Sequence, residues 1–497
     1  MKFAAEGSLR ALGLSALLAI PLACSDKAPV DEEDVPTPDE RATLVEGRVL
    51  TSVQVEGRPE AAYTLAERME FYGVPGASIA VLNDGEIEWA RAYGVSDASS
   101  GRPATERTLF QAASMSKPVA GVAALQLVEE GLVDLDADVN QYLTSWKVPA
   151  SEAANGEPVT LRRLLTHSAG LTVHGFPGYA RDAELATPLQ VLDGFGPANT
   201  AAIRIDVEPG TLYRYSGGGY TVMQQLVEDV RGQPFAEVMR EYVLDPAGMT
   251  ESTYEQPLPD SLWSRASTGH RPGGEPVEGN WHTYPEMAAA GLWTTPTDLL
   301  KYVDQIQRAR AGEEGLILSK EMVDPMLTPG VGSHGLGPAL IQEGALRFGH
   351  GGANEGFRGA FQGYADSGRG VAVLTNSDTG GALMEEVLLG VAAVYGWDDI
   401  EPRVITEVPL SEEEAAGMVG RYRVASPPPD LAVEVFLGDD GLMLGANGEP
   451  PARLVRTGPD TFVAVEADLE ITVEWGPDGR AMWLEGQGIR VVRTEGE

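Results

Sequence analysis

Strand-forming sequence stands on both sides of a long helical stretch, and that bracket leaves the chain few architectures. Ala77-Ser-Ile-Ala-Val-Leu82 and Ile87-Glu-Trp-Ala-Arg-Ala-Tyr93 flank Asn83-Asp84-Gly85 and read as a hairpin, because Asp-Gly readily supplies the left-handed residues of a tight turn. Strand-like runs return at about Ala339 to Phe348, Gly359 to Ala365 and Gly370 to Thr375. Between them, from Ser114 to about Thr253, apolar residues recur at helical spacing. Val119, Val122, Leu125 and Val128 form one stripe, with Gly131 placed to cap it, and Tyr220, Met223, Leu226, Val227 and Val230 form another. Such stripes read as core. Further helices are expected over Glu60 to Phe71 and Leu383 to Val394. The economical arrangement is an α/β domain whose sheet joins the early hairpin to the late strands, with an all-α domain inserted beside it.

The chain has 497 residues, enough for two or three domains each burying its own core. A boundary is expected near Pro402 to Glu414, which divides a domain over 46–400 from a module over 401–497. That module carries short β-patterned runs such as Leu431-Ala-Val-Glu-Val-Phe436 and Glu470-Ile-Thr-Val-Glu-Trp475, separated by Asp-Gly turns, and reads as a small barrel or sandwich. It contains no histidine and nothing of catalytic aspect.

The first residues differ from the rest. Lys2 and Arg10 precede an apolar stretch, Ala11 to Leu22, too short to span a bilayer, so 1–23 reads as an export signal. It ends in Pro21-Leu22-Ala23-Cys24, and Cys24 is the only cysteine, so no internal disulfide can form. The segment resembles a bacterial lipoprotein signal, which implies lipidation of Cys24 and a cell-envelope location; ordinary cleavage that leaves a free thiol is the alternative. Residues 24–45, dense in Asp, Glu and Pro, read as a flexible tether. Seventy-four acidic side chains against 36 Lys and Arg give a formal charge of -38, which repels a phosphate backbone and argues against nucleic-acid binding.

Three segments carry candidate chemistry. Ala113-Ser114-Met115-Ser116-Lys117-Pro118 stands where the hairpin region yields to the first long helix. On a helix, the three-residue spacing puts Ser114 and Lys117 on one face, where an amine can activate the hydroxyl. Tyr213-Arg214-Tyr215-Ser216-Gly217-Gly218-Gly219-Tyr220 offers Tyr215 as a base, on the expectation that a neighbouring ammonium lowers its pKa. Taken alone, it is equally a glycine turn among buried aromatics. Phe348-Gly349-His350-Gly351-Gly352-Ala353-Asn354, at the end of an expected strand, allows close backbone approach to an oxyanion. His350 alone would read as structural.

Ser114-x-x-Lys117, Tyr215-Ser216-Gly217 and His350-Gly351-Gly352, in this order, resemble the three active-site motifs of the serine β-lactamase and penicillin-binding-protein superfamily. The likeness is to its class C-like branch, with D-stereospecific peptidases and family VIII esterases. Leu164-Leu165-Thr166-His167-Ser168-Ala169-Gly170-Leu171 and Gly291-Leu292-Trp293-Thr294-Thr295-Pro296 resemble segments of the same family. The resemblance implies a β-lactamase/transpeptidase-like fold, an antiparallel sheet flanked by helices, and a C-terminal all-β lipocalin-like domain. It also implies Ser114 as the acylated nucleophile, Lys117 and Tyr215 as acid-base partners, and His350 with Gly352 and Ala353 at the substrate and oxyanion positions.

Two departures bear on substrate. Gly217 stands where the family usually has Asn, and His350-Gly351-Gly352 where Lys-Thr-Gly is common. Each lost charge-assisted hydrogen bond weakens carboxylate binding by about 1.5 to 3 kcal/mol. The expectation is therefore an exported serine hydrolase acting through an acyl-enzyme on an ester or amide, of small-molecule or peptide class, without cofactor or metal. A β-lactamase, or a non-catalytic cell-wall sensor, is the alternative. Gly-x-Ser-x-Gly and His-Glu-x-x-His are absent, and the six histidines show no recognised ligand spacing. His167 reads as a structural loop residue.

Overall fold

The computed structural model describes residues 36–424, 432–439, 441–446 and 450–494. Cys24 and the segment read as an export signal lie outside them. Within the stretch read as tether, Pro38–Gly47 forms helix α1, with Ala42 and Val45 buried. Its acidic first turn suits a helix N-terminus, and that acidity is what disguised it as linker. Helix α2 covers Leu65–Tyr72, shorter than expected at its start because Ala62–Tyr63 pairs as a strand with Val49–Leu50. Thr64 and Glu67 close a capping box on α2.

The hairpin forms as expected. Strand β1 (Gly76–Asn83) turns through Asp84 (φ 51°) and Gly85 (φ 80°) into β2 (Glu86–Asp97), followed by the short β3 (Arg102–Pro103). Helix α3 (Ser116–Glu129), α4 (Gly217–Arg231), α5 (Met287–Ala290) and α6 (Pro296–Arg310) belong to the helical middle. Strands β4 (Ala339–Ile341), β5 (Arg347–Asn354), β6 (Phe357–Tyr364) and β7 (Gly370–Thr375) precede α7 (Gly380–Tyr395).

These strands make one seven-stranded sheet in the order β4-β5-β6-β7-β1-β2-β3, with Thr375 opposite Ala77 and Gly370 opposite Leu82. The late strands therefore join the early hairpin edge to edge. Both faces of β1 are covered, which is why its sequence is apolar without alternation. Ala80 and Leu82 pack with the helical middle, while Ile79 and Val81 pack under α1, α2 and α7. On the second face, buried Arg68 of α2 forms a two-pronged pair with Glu386 of α7 at 2.6 and 2.7 Å.

One expected strand, Ala339 to Phe348, is two strands and a turn, and the glycine-rich segment lies inside β5 rather than beyond its end. Glycines weaken strand propensity, yet here they are required. A Cβ on Gly349 would sit 2.2 Å from Phe361 O, and one on Gly352 would sit 2.2 Å from Ala112 O.

The C-terminal module is a closed antiparallel barrel of eight strands, from Gly420–Val424 to Ile489–Arg493. Its core includes Val435, Phe462, Ile471, Val473 and Leu484. A short strand stands at the expected boundary. Arg403–Ile405 pairs in parallel with Val53–Val55, which ties the start of the module to the N-terminal part of the chain. Ile405, Val53 and Val55 then pack against Val455, Val463 and Val465 of the barrel, and Arg403 reaches Asp468 at 2.6 Å.

Candidate active site

Ser114 occupies a tight 3-10 turn, Ala113–Met115, immediately before α3. Ala113 enters it with φ 50°, a left-handed conformation that costs an L-residue about 1 to 2 kcal/mol. The surroundings hold it there: Ser116 Oγ donates to Ala113 O at 2.5 Å and accepts from Leu292 N, while Ala112 N donates to Leu292 O. The turn presents Ser114 half-buried at the head of α3, with Gly352 of β5 packed directly against Ala112. Gly352 and Ala353 thus lie beside Ser114 because position 352 has no side chain.

Lys117, one turn on, is buried. Its Nζ lies 2.9 Å from Ser114 Oγ and donates to Ala289 O of α5 at 2.7 Å. Burial without a carboxylate partner lowers its pKa from 10.5 to about 7. The amine is therefore substantially neutral near pH 7, with a lone pair available to the serine hydroxyl.

Tyr215 meets the same serine from the N-terminal side of α4. Its phenol is close enough to Ser114 for the serine to act on its titration, and its ring centroid is 4.9 Å from Lys117 Nζ. The expected lowering of its pKa is reversed: burial pushes the phenol well above its ordinary value, outweighing the lowering influence of Ser114. Tyr215 is a neutral phenol here, and Lys117 is the stronger candidate base. The loop is fixed by Ser216 Oγ, which caps α4 at Gly219 N and donates to Thr172 O. At Gly217, a Cβ would meet Phe176 Cε2 at 3.0 Å and His174 O at 3.1 Å. Any side chain at this position would press on both.

His350 lies 6.0 Å from Tyr215, ring centroid to centroid, and is held neutral, its pKa lowered to about 3 by burial and then by the charge of Lys117. His167 adopts φ 54°, stacks on Tyr215 at 4.2 Å and accepts from Ser216 N at Nδ1, so it shapes the catalytic loop directly. His334 was not singled out in sequence, yet it packs T-shaped against both His167 and His350. No sequence spacing links these three, since they come from separate loops and a strand.

Residues 62–394 match the family model described as Beta-lactamase. Among curated relatives, Esterase EstB of Burkholderia gladioli is 32% identical over 200 residues, covering 37% of this chain and 48% of that protein. A D-aminopeptidase of Brucella anthropi is 27% identical over 306 residues, covering 58% and 54%. The chain thus spans about half the length of these relatives. The solved structure of an octameric penicillin-binding protein homologue from Pyrococcus abyssi superposes with a TM-score of 0.58 at 24% identity, over 86% of this chain and 98% of that one. That match reports the fold. With the model spanning the sheet, the helical middle and all three motifs, the chain belongs to the Beta-lactamase family.

Proposed function

We propose that the protein is an exported serine hydrolase that acts through an acyl-enzyme on ester or amide substrates. The observation that carries this reading is the buried, partner-poor Lys117, whose amine stands 2.9 Å from Ser114 Oγ. The neutral amine takes the hydroxyl proton as Oγ attacks the substrate carbonyl. The backbone N–H groups of Ser114 and Ala353, adjacent across the Gly352 contact, receive the developing oxyanion. Lys117, now an ammonium, returns its proton to the leaving alcohol or amine through the Tyr215 hydroxyl, leaving acyl-Ser114.

Substrate class follows from charge. The imidazoles of His350, His334 and His167 are all neutral at pH 7, and the cation seen against Ser114 and Tyr215 is Lys117, itself largely neutral there. Three neutral imidazoles offer a carboxylate little, so neutral acyl groups are favoured over β-lactams. The relatives named esterase and D-aminopeptidase support an ester or a D-amino-acid derivative. Export is supported by the Lys2–Cys24 segment alone.

The test is covalent labelling by a fluorophosphonate with turnover of a p-nitrophenyl ester, a D-alanyl p-nitroanilide and nitrocefin. Labelling of wild type but not of Ser114→Ala, with turnover of the ester or anilide exceeding that of nitrocefin, is expected. A folded wild-type protein that neither labels nor turns over would return the chain to the sensor alternative. Membrane fractionation of wild type and Cys24→Ser tests the anchor.

A further inference from the structure

We propose that His167, His334 and His350 form the seat of the water that hydrolyses acyl-Ser114, with His350 accepting the water's proton and the other two orienting it. The proposal rests on the acyl-enzyme reading above.

One ring nitrogen from each histidine lies within 4.8 Å of the other two. His167 Nε2, His334 Nδ1 and His350 Nε2 are buried and have no protein partner. Buried polar atoms are seldom left unpaired, so three of them converging on one spot mark a polar ligand. The remaining ring nitrogens decide which kind. His167 Nδ1 accepts from Ser216 N, which fixes the proton on Nε2 and makes that atom a donor. His350 Nδ1 faces Gly351 O at 2.5 Å; a carbonyl only accepts, so Nδ1 holds the proton and Nε2 presents a lone pair. His334 is free to present a lone pair at Nδ1.

One donor and two acceptors match a single water, which accepts once, donates twice and keeps a second lone pair. They do not match a divalent cation, which needs a lone pair from all three. The span allows it: hydrogen bonds of about 2.9 Å at a tetrahedral oxygen separate the partners by about 4.7 Å, inside the 4.8 Å within which the three nitrogens lie.

The cluster borders the reacting groups. Tyr215, whose ring lies 4.9 Å from the Lys117 Nζ that contacts Ser114, stacks on His167 and contacts the rings of His334 and His350, and the charge of a protonated Lys117 is felt at all three histidines. In the acyl-enzyme Lys117 is neutral, having given its proton to the leaving group. The repulsion that adds to burial in opposing a proton on His350 is then gone, and the developing oxyanion favours one. The water oxygen bonds to the acyl carbon as one hydrogen passes to His350 Nε2. That proton moves on to the Lys117 amine and from it to Oγ as the bond between carbon and Oγ breaks. One water is consumed and one carboxylic acid is released.

The experiment follows p-nitrophenyl butyrate hydrolysis by stopped flow and intact-protein mass spectrometry in wild type, His334→Leu, His334→Gln and Ser114→Ala. His334→Leu should label with fluorophosphonate at the wild-type rate and give a burst of one nitrophenolate per enzyme. Its steady turnover should fall by about a hundredfold, with the butyryl adduct accumulating on Ser114. His334→Gln, whose amide oxygen can still accept from the water, should recover much of the loss. Turnover by His334→Leu at the wild-type rate, or loss of burst and turnover together without an adduct, would overturn the water seat. Inhibition by micromolar zinc that EDTA relieves would overturn it in favour of a cation site. Turnover surviving in Ser114→Ala would instead overturn the acyl-enzyme reading itself.

Discussion

Replacing Lys117 by Met should abolish acylation and yet stabilise the fold, and the stabilisation should fade as pH rises. The lysine is 2% exposed, and burial depresses its pKa from 10.5 to about 7. A shift of that size corresponds to about 5 kcal/mol of differential solvation between the charged and neutral amine. The unfolded chain holds the proton up to its ordinary pKa and the folded chain only to about 7. Between those values unfolding takes up a proton, so stability rises with pH. The penalty is complete below pH 7, still about 4 kcal/mol at pH 7, and about 2 kcal/mol at pH 9. Methionine has similar length and no charge to desolvate, but it deprives Ala289 O of its donor, at a cost of about 1 to 3 kcal/mol. The expected balance is a gain of about 2 kcal/mol at pH 7, shrinking to about zero at pH 9. Urea unfolding of both proteins at pH 7, 8 and 9 measures it. A Lys117→Met protein less stable than wild type at pH 7, or a difference that does not narrow toward pH 9, would refute the claim that the catalytic lysine is held neutral by burial.

Three further outcomes are expected. The rate of ester acylation by wild type should rise with an apparent pKa of about 7 and drop about tenfold per pH unit below pH 6, as the neutral fraction of Lys117 falls. Gly352→Ala should fold but lose about a hundredfold in kcat/KM, because its Cβ would meet Ala112 O at 2.2 Å and push β5 away from the serine turn; circular dichroism with ester kinetics separates the two effects. Glu386→Leu should destabilise by about 3 to 5 kcal/mol in chemical denaturation by stranding buried Arg68, whereas Arg68→Met with Glu386→Leu should lie close to wild type.

Much of the sheet was readable because its signals are local. Asp84-Gly85 dictates a two-residue turn through backbone sterics, and the apolar run of β1 announces a strand covered on both sides. Where local signals compete, the reading slipped. The acidic first turn of α1 looks like linker until Ala42 and Val45 are seen against the core, and the glycines of β5 resemble a strand's end until Gly349 and Gly352 are seen under neighbouring carbonyls. The pairing of Arg403–Ile405 was not readable because its partner, Val53–Val55, stands hundreds of residues earlier.

For the site, the sequence by itself determined that Ser114 and Lys117 share a face, since three-residue spacing on a helix is a property of covalent geometry. Tertiary structure alone decided what that pair can do. Enclosure without a carboxylate turns Lys117 into a base and keeps Tyr215 a phenol, reversing the expected direction for the tyrosine. It also brings His167, His334 and His350 together from loops and a strand that no spacing relates. Solvation and convergence depend on what surrounds a residue, and in this chain those surroundings come from distant segments.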